Sequence, residues 1–479
     1  MSIEDIHLLF HPKSVAVIGA STTPLKGGYR ILDNLIQNGF PRDKIYPINP
    51  NSGEVLGLKF YTSVDRIPNP VDIAIIFVPN MVIPKILQQC IEKGIRGAII
   101  QAAGFEEIGE SGFQLREEIR KVTDNFKKIR IVGPNCTGLT RVDTNESGFF
   151  SAFIRQFGYR RGNIGVISQS GMLNGGYFIY LSTRYGLKFR YVASIGNKMD
   201  LTENDFLEFY LQDASVKVIA CYLESFSDPR RFLALCKHAE KIKKPIILLR
   251  GGITNLGKYA TRSHTGALAE DSQLIQALIR QSHIQSSSNF QQLFQYTHTH
   301  SLFIDAKDSL PINRNVAFLT VSGGAGTIAT DLIAKYQLHL PNLTDSTHEE
   351  LSKIYPEWMS PNRFSLLDIW PAVEKAQGDS NGVYKRVMEL VLTDPNIDGL
   401  LLSVFNIKEF PFNSDMLIEL HNKYHKPIFA WIFGPAADII PIMDELKENL
   451  IPVFENLEDM IQNFVSICAF SSEISKTDK

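Results

Sequence analysis

The sequence predicts an α/β protein built from three successive parallel-sheet units. Short apolar runs recur with helical patterns between them, many of the runs end in turns rich in glycine, serine or proline, and the pattern restarts near Arg160 and again near Asn313. Runs that are apolar throughout belong to strands covered on both faces, and strands alternating with helices make parallel sheets. A chain of 479 residues is too long for one core. Domains of ~100 to 200 residues imply two to four of them.

Composition excludes several classes. Hydrophobic content of 44% with 21% charged residues is ordinary for a globular chain. The net charge of -2 gives no electrostatic reason to expect nucleic acid or an anionic membrane. Cys90, Cys136, Cys221, Cys236 and Cys468 are scattered and form no CxxC pair, so neither a disulfide framework nor a zinc site is indicated, which fits a reducing compartment. Met1 to Asp5 shows no basic region followed by an apolar run, and no uninterrupted apolar segment approaches ~20 residues. The expectation is a soluble, cytoplasmic protein.

In the first third the predicted strands are Ser14 to Ile18, Ile45 to Ile48, Val71 to Val78, Gly97 to Ile100 and Arg130 to Val132. The first runs into Gly19-Ala20-Ser21 and then Thr22 to Gly28 before a helix, a loop that places backbone N–H groups and a helix N-terminus where phosphate can bind. It is not GxGxxG. An NAD site would also need an acidic residue closing the second strand, yet that strand ends Pro47-Ile48-Asn49-Pro50-Asn51. NAD is therefore disfavoured. Phe77-Val78-Pro79-Asn80, Gln101 to Phe105 and Gly133 to Gly138 complete a set of turns along the carboxyl edge of one sheet, where open α/β sheets bind ligands. Glycine and proline punctuate turns everywhere, so no single turn is diagnostic; four at one edge favour a ligand.

The middle third opens on the strand Ile164 to Ile167, which runs into Ser168-Gln169-Ser170-Gly171 and a helix through Met172 and Leu173. Hydroxyls and bare amides at a helix start form an anion cradle without a lysine; ordinary N-capping by serine reads the same residues equally well. Ser194 to Asp200 is another strand end. The strand Val216 to Leu223 delivers Glu224 to the same edge, ahead of a helix around Arg230 to Ala239. That carboxylate is either a solvated helix-start acid or the partner of an imidazole, fixing its tautomer so that the other nitrogen attacks phosphorus.

The next strand, Pro245 to Arg250, leads through the Gly-rich loop Gly251 to Gly257 to Thr261-Arg262-Ser263-His264-Thr265-Gly266-Ala267, at the mouth of an apolar helix from Ala267 to about Ile279. Small neighbours leave room for a bulky group on the imidazole. A lone histidine among 11 is more often a surface or core residue. Here, however, a cradle, a carboxylate and a histidine arise from successive strand ends of one sheet, which makes His264 the candidate for a phosphorylated nucleophile.

Six signatures together carry a resemblance: Val15 to Ser21, Ile48-Asn49-Pro50, Gly133-Pro134-Asn135-Cys136, Ser168 to Gly171, Leu223-Glu224, and Ser263 to Ala269. The chain resembles the alpha subunit of ADP-forming acyl-CoA synthetases (acetate–CoA ligases), relatives of succinyl-CoA synthetase, from about Phe10 to Phe470. The resemblance implies a Rossmann-like coenzyme A-binding domain over 1–142, a flavodoxin-like ligase domain with the phosphohistidine loop over 143–304, and a second flavodoxin-like domain over 305–479. It implies that His264 is the phosphorylated histidine, Glu224 the carboxylate that steadies it, and Ser168, Gln169, Ser170 and Gly171 the turn receiving the phosphate. It also implies that Gly19, Ser21, Lys26, Asn49, Val78, Pro79 and Gly104 lie at turns contacting coenzyme A. A mobile loop, with Gly251, Gly252, Gly257 and Gly266 as its freely rotating positions, would carry the phosphoryl group from one site to another.

In the last third Val316 to Val321, Gly399 to Val404 and Pro427 to Ile432 read as strands, with Ser322 to Gly326 opening a helix. A link is expected near Asp305 to Arg314 and a polar tail from Ser471. Thr297-His298-Thr299-His300 offers two histidines without a third ligand, which read as helix-end or loop residues and not as a metal site. No P-loop GxxxxGK[ST] occurs. The resemblance implies that ADP or ATP with Mg2+ is held on a separate ATP-grasp beta subunit, in a hetero-oligomer that could also pair two copies of this chain. Three positions depart from the family pattern: Asn51 replaces an often basic residue, Glu270 a common glycine, and Ser365 to Trp370 the usual Asn-Pro-Val-Asp segment. They leave open an alternative, a catalytically inactive protein that senses coenzyme A or its thioesters.

Overall fold

The computed structural model describes residues 3–154, 158–265, 272–282, 284–304, 310–311 and 313–477. The chain divides into two compact units, Met1–Thr297 and His298–Lys479.

Met1–Thr297 holds two large sheets and a two-stranded ribbon, Glu54–Val55 with Leu58–Lys59. The first is parallel, in the spatial order Ile45–Ile48, Val15–Ile18, Ile73–Ile76, Gly97–Ile100, Arg130–Val132. Its strands are apolar on both faces because both faces are covered. Val15, Val17, Ile73, Ile75 and Ile99 point into one core, while Ala16, Ile18, Ala74, Ile76 and Ile100 point into the other, the two-residue alternation of a strand. The chain reverses direction across the sheet between Val15–Ile18 and Ile73–Ile76. The turns after those two strands therefore flank a crevice at the carboxyl edge, where ligands of open α/β sheets bind.

The second sheet repeats this order. Its parallel strands run Lys188–Ser194, Arg160–Ser168, Val218–Leu223, Ile246–Arg250, Gln285–Ser287. Leu139–Val142 pairs antiparallel beside Lys188–Ser194 and Gly148–Phe150 pairs antiparallel with Leu139–Val142. The reversal falls between Arg160–Ser168 and Val218–Leu223, which puts the turns at Gln169 and Glu224 on either side of the crevice.

One core runs through both sheets. The N-terminal helix Ile3–Phe10 buries Ile6, Leu9 and Phe10, and Phe10 packs on Tyr191, Phe206 and Phe209 of the second sheet's layer with ring centroids 4.7 to 6.0 Å apart. The same cluster reaches Ile167, Ile219 and Leu248 in the second sheet and Val17 and Ile75 in the first. A half-buried ion pair adds direction: Arg130 at the end of the first sheet donates to both oxygens of Asp200, at 2.9 and 2.7 Å, and Asp200 also accepts from the Ile131 N–H at 2.8 Å.

His298–Lys479 contains a third sheet of the same order, Leu366–Asp368, Val316–Thr320, Gly399–Phe405, Ile428–Phe433, Val453–Phe454, all parallel. Ala317, Leu319, Leu400 and Leu402 fill one side; Val316, Phe318, Leu401 and Phe429 fill the other. Ser322 caps the helix Gly323–Lys335, accepting from the Ala325 N–H at 3.3 Å.

Two expectations change. The segment expected to be a Gly-rich loop continuing to His264 is helical from Asn255 to Thr265, because the Thr254 hydroxyl accepts from the Gly257 N–H at 3.0 Å and caps its first turn. The helix expected from Ala267 to about Ile279 is described over Ser272–Gln281; its expected start, residues 266–271, lies outside the described residues. The polar tail is also helical, as the end of Leu457–Thr477, whose stripe of Met460, Ile461, Phe464, Ile467 and Cys468 is buried. Among the described residues no helix is long and apolar enough to cross a membrane.

Candidate functional site

A cavity of about 620 Å³ opens where the carboxyl edges of the first two sheets meet, within the size range of small-molecule sites. Its first-sheet wall is Phe77, Val78, Pro79 and Asn80, with Gln101, Ala102 and Ala103 behind; Asn135, Cys136 and Thr137 lead across; Gln169, Ser170, Gly171 and Met172 form the second-sheet wall. Phe77 and Phe153 form a tilted aromatic pair, centroids 5.1 Å apart, on one side. Burial raises the Cys136 thiol to about 12, so at neutral pH it is a small apolar surface and not a nucleophile.

The first-sheet wall is held by close backbone approach. Gly19 has φ 95°, and a Cβ there would overlap the Phe77 carbonyl; one on Gly28 would overlap the Gly19 carbonyl. The helix Gly27–Gln37 thereby starts hard against the first strand end. Asn49 donates to the Ala20 carbonyl at 2.8 Å and accepts from the Asn51 N–H at 2.9 Å, and the Ser21 hydroxyl accepts from the Thr23 N–H at 3.1 Å. Lys26 is exposed at the helix start. The Gly104 carbonyl accepts from the Asn80 side chain and its N–H donates to Glu107 Oε1 at 2.6 Å. Val78 and Pro79 face the cavity directly; Gly19, Ser21, Lys26, Asn49 and Gly104 are outside its lining.

The second-sheet wall is a turn fixed from all sides. The Ser168 hydroxyl donates to the Ser170 carbonyl at 2.8 Å, and the Gln169 N–H donates to the Tyr222 carbonyl at 3.0 Å. Thr137 donates its hydroxyl to the Gly171 carbonyl at 3.1 Å and accepts from Asn174 at 3.0 Å. Asn174 lies in a widened π turn, Leu173–Tyr177, that opens the helix, a distortion frequent at functional sites.

Glu224 sits beside this turn. Gln169 Oε1 accepts from the Glu224 and Ser225 N–H groups at 2.9 and 3.2 Å, tying the two strand ends together. The Tyr222 hydroxyl donates to Glu224 Oε1 at 3.1 Å, and burial together with that carboxylate pushes the phenol well above its usual value. A Cβ on Gly251 would lie 2.9 Å from the Tyr222 hydroxyl, so a side chain there would press on the phenol that donates to Glu224. Gly252 has φ 70° and packs on Thr261 of the helix Asn255–Thr265. His264 belongs to the last turn of that helix; its side chain lies outside what is described. The fold thus brings Ser168 to Gly171 and Glu224 together.

Sequence reasoning placed Thr137 only within a ligand-edge turn and missed Asn174, Tyr222 and a network behind Glu224. In that network the Lys198 ammonium donates to Glu203 at 2.9 Å and to the Ser225 carbonyl at 2.8 Å, and Glu203 accepts from the Ser227 N–H at 2.6 Å. The run Asn197-Lys198-Met199-Asp200 shows only a polar strand end, and the signal lies in partners 5 to 27 residues away. Among the described residues no cluster of three or more His, Cys, Asp or Glu could hold a metal ion; His298 and His300 are buried in the helix Phe290–Phe303.

Residues 13–141 match the model of a CoA-binding domain, and residues 161–300 that of a succinyl-CoA ligase-like flavodoxin domain. The ADP-forming acetate–CoA ligase II of Archaeoglobus fulgidus is 35% identical over 95% of this chain and 65% of its own length. The alpha subunit of the ADP-forming acetate–CoA ligase II of Pyrococcus furiosus is 32% identical, with 94% of both chains covered. This chain belongs to the ADP-forming acetate–CoA ligase family. Acetyl-coenzyme A synthetase 1 of Ca. Korarchaeum cryptofilum, solved in complex with phosphate and ADP, superimposes with a TM-score of 0.84 at 27% identity, covering 99% of this chain and 98% of that one. The chain spans 65% of the length of the A. fulgidus relative and nearly all of the P. furiosus alpha subunit.

Two of the departures from the ligase family pattern have visible surroundings. Asn51 is exposed and donates its N–H to the Asn49 side chain at 2.9 Å. Trp370 is half exposed at the start of the helix Trp370–Lys375 and donates to Glu374 at 3.0 Å. Glu270 lies outside the described residues.

Proposed function

We propose that this chain is the alpha subunit of an ADP-forming acyl-CoA synthetase, converting acyl-CoA, phosphate and ADP to a carboxylic acid, ATP and coenzyme A in reversible steps. The observation that carries the reading is the cavity shared by two sheet edges, with Val78 and Pro79 on one wall and Ser170 and Gly171 on the other. One wall suits the thioester end of coenzyme A and the other an oxyanion at a helix start.

A phosphate oxygen attacks the thioester carbonyl carbon; the carbon–sulfur bond breaks, coenzyme A leaves as the thiol, and an acyl phosphate remains. An imidazole nitrogen of His264 then attacks phosphorus and the carboxylate departs with the bridging oxygen. ADP takes the phosphoryl group from His264 to give ATP. Glu224 would accept a hydrogen bond from the other ring nitrogen, fixing the tautomer. Backbone N–H groups at Ser170 and Gly171 meet the phosphate charge in a partly enclosed site, where preorganised donors are most effective. Gly19, Ser21, Lys26, Asn49, Val78, Pro79 and Gly104 would form the coenzyme A side. ADP, ATP and Mg2+ belong on an ATP-grasp beta subunit, completing a hetero-oligomer.

The test is ATP formation from acetyl-CoA, phosphate and ADP by this chain co-expressed with such a subunit. Histidine phosphorylation and turnover are expected to vanish together in His264→Asn. ATP-dependent labelling of the isolated chain would overturn the need for a partner, and turnover surviving in His264→Asn would overturn the assignment.

A further inference from the structure

The two walls of the cavity belong to different sheets, so something must hold them in register. The turn after Lys188–Ser194 does this from the middle. Gly196 has φ 53°, and a Cβ there would overlap the Pro134 carbonyl. The Asn197 and Met199 N–H groups donate to the Pro134 and Gly133 carbonyls at 2.9 and 3.0 Å. The second-sheet turn is thereby seated on the first-sheet turn Gly133 to Thr137.

From that seat consecutive side chains reach opposite ways. Asn197 donates to Glu107 Oε2 at 2.7 Å and to Glu106 Oε2 at 3.2 Å, and the other oxygen of Glu107 accepts from the Gly104 N–H at 2.6 Å. Asn197 therefore grips the turn on the coenzyme A side. Lys198, next in the chain, donates to the Ser225 carbonyl, and Glu203 behind it holds Ser227 through N–H and hydroxyl at 2.6 and 3.0 Å. That grips the turn carrying Glu224. Lys198 is 9% exposed and Glu203 fully buried. Lys198 also sits at φ 57°, a left-handed conformation that a residue with a Cβ keeps only where its surroundings dictate it.

We propose that Asn197 and Lys198 are paired positioning residues that register the coenzyme A half of the site against the phosphoryl half, Asn197 through Glu107 and Gly104, Lys198 through Ser225 and Glu203. Neither touches reacting atoms. The inference rests on the function proposed above, which assigns the two walls their ligands. Because a displacement of about 1 Å can cost a hundredfold in rate, each residue's loss is read mainly in its own half.

The experiment compares Asn197→Ala and Lys198→Met in the chain assembled with its beta subunit. Calorimetry gives the Kd for coenzyme A, and ATP-dependent labelling gives the rate of histidine phosphorylation. Asn197→Ala is expected to weaken coenzyme A binding by about tenfold and to slow phosphorylation far less; Lys198→Met is expected to do the reverse, slowing phosphorylation about 10- to 100-fold. Lys198→Met leaves a buried carboxylate without its cation, so Lys198→Met combined with Glu203→Gln carries the test if the single variant unfolds. Folded variants that move both readouts alike, or neither, overturn the proposal. His264→Asn in the same series separates the two claims: labelling that persists there sinks the underlying function, whereas lost labelling with no split between Asn197 and Lys198 sinks only the registration.

Discussion

The side-chain oxygen of Gln169 accepts from the main-chain N–H groups of Glu224 and Ser225, at 2.9 and 3.2 Å. One amide thus joins the ends of two adjacent parallel strands at the point where the sheet reverses order. Gln169 is itself 3% exposed, so a substitution cannot be repaired by bulk water. Gln169→Ala leaves the buried Glu224 N–H without its acceptor, at about 1–3 kcal/mol, while the part-buried Ser225 N–H can turn to water. Urea denaturation should show a stability loss in that range, and phosphoenzyme formation should fall about 10- to 100-fold as Glu224 shifts.

Gly19→Ala is expected to destabilise the protein by about 3 kcal/mol or more, from a positive φ and an overlap with the Phe77 carbonyl that rigid backbone cannot relieve. Thermal unfolding measures the loss. Coenzyme A binding by calorimetry should fall with it, because the displaced Phe77 belongs to the cavity wall.

Asp200→Ala should cost about 1–3 kcal/mol, less than removal of one partner of a fully buried ion pair, because the Arg130 side chain keeps 17% exposure. Arg130 would keep only Asp5, at 3.5 Å, and the Ile131 N–H would lose its acceptor. Guanidinium denaturation of wild type and variant checks the difference; an effect within 0.5 kcal/mol, typical of a surface change, would show that the pair contributes nothing.

His300 provides a pH prediction. Burial lowers its pKa from 6.5 to about 4, its ring lies edge-on to Phe470 at 5.4 Å, and Nε2 has no partner among the described residues. The fold holds the neutral ring, so this contribution to stability is complete above pH 6.5 and is lost as pH falls toward 4. That displacement corresponds to on the order of 3 kcal/mol. His300→Leu should flatten the acid limb of the stability profile between those values, measured by denaturant titration at successive pH.

The strands were legible because each is a short, wholly apolar run: Val15 to Ile18 or Ile73 to Ile76 can only be buried on both sides. The turns at Gly19, Ser168 and Glu224 were legible as breaks in those runs. The helix Asn255–Thr265 was not, because Gly251, Gly252 and Gly257 outweighed a single capping threonine at 254. Nor was the Lys198–Glu203 pair, whose meaning depends on Ser225 and Ser227, more than twenty residues away in sequence. Local pattern reveals which segments fold; hydrogen bonds between distant turns decide how a site is held.

The cavity draws its walls from both sheets of Met1–Thr297, so its occupant acts as a dowel through a joint. A compound present at 100 times its Kd adds about 2.7 kcal/mol to the folded state, and here that gain spreads across the joint instead of settling in one layer. Amide hydrogen exchange should slow in both sheets when coenzyme A is added, including strands that never touch it.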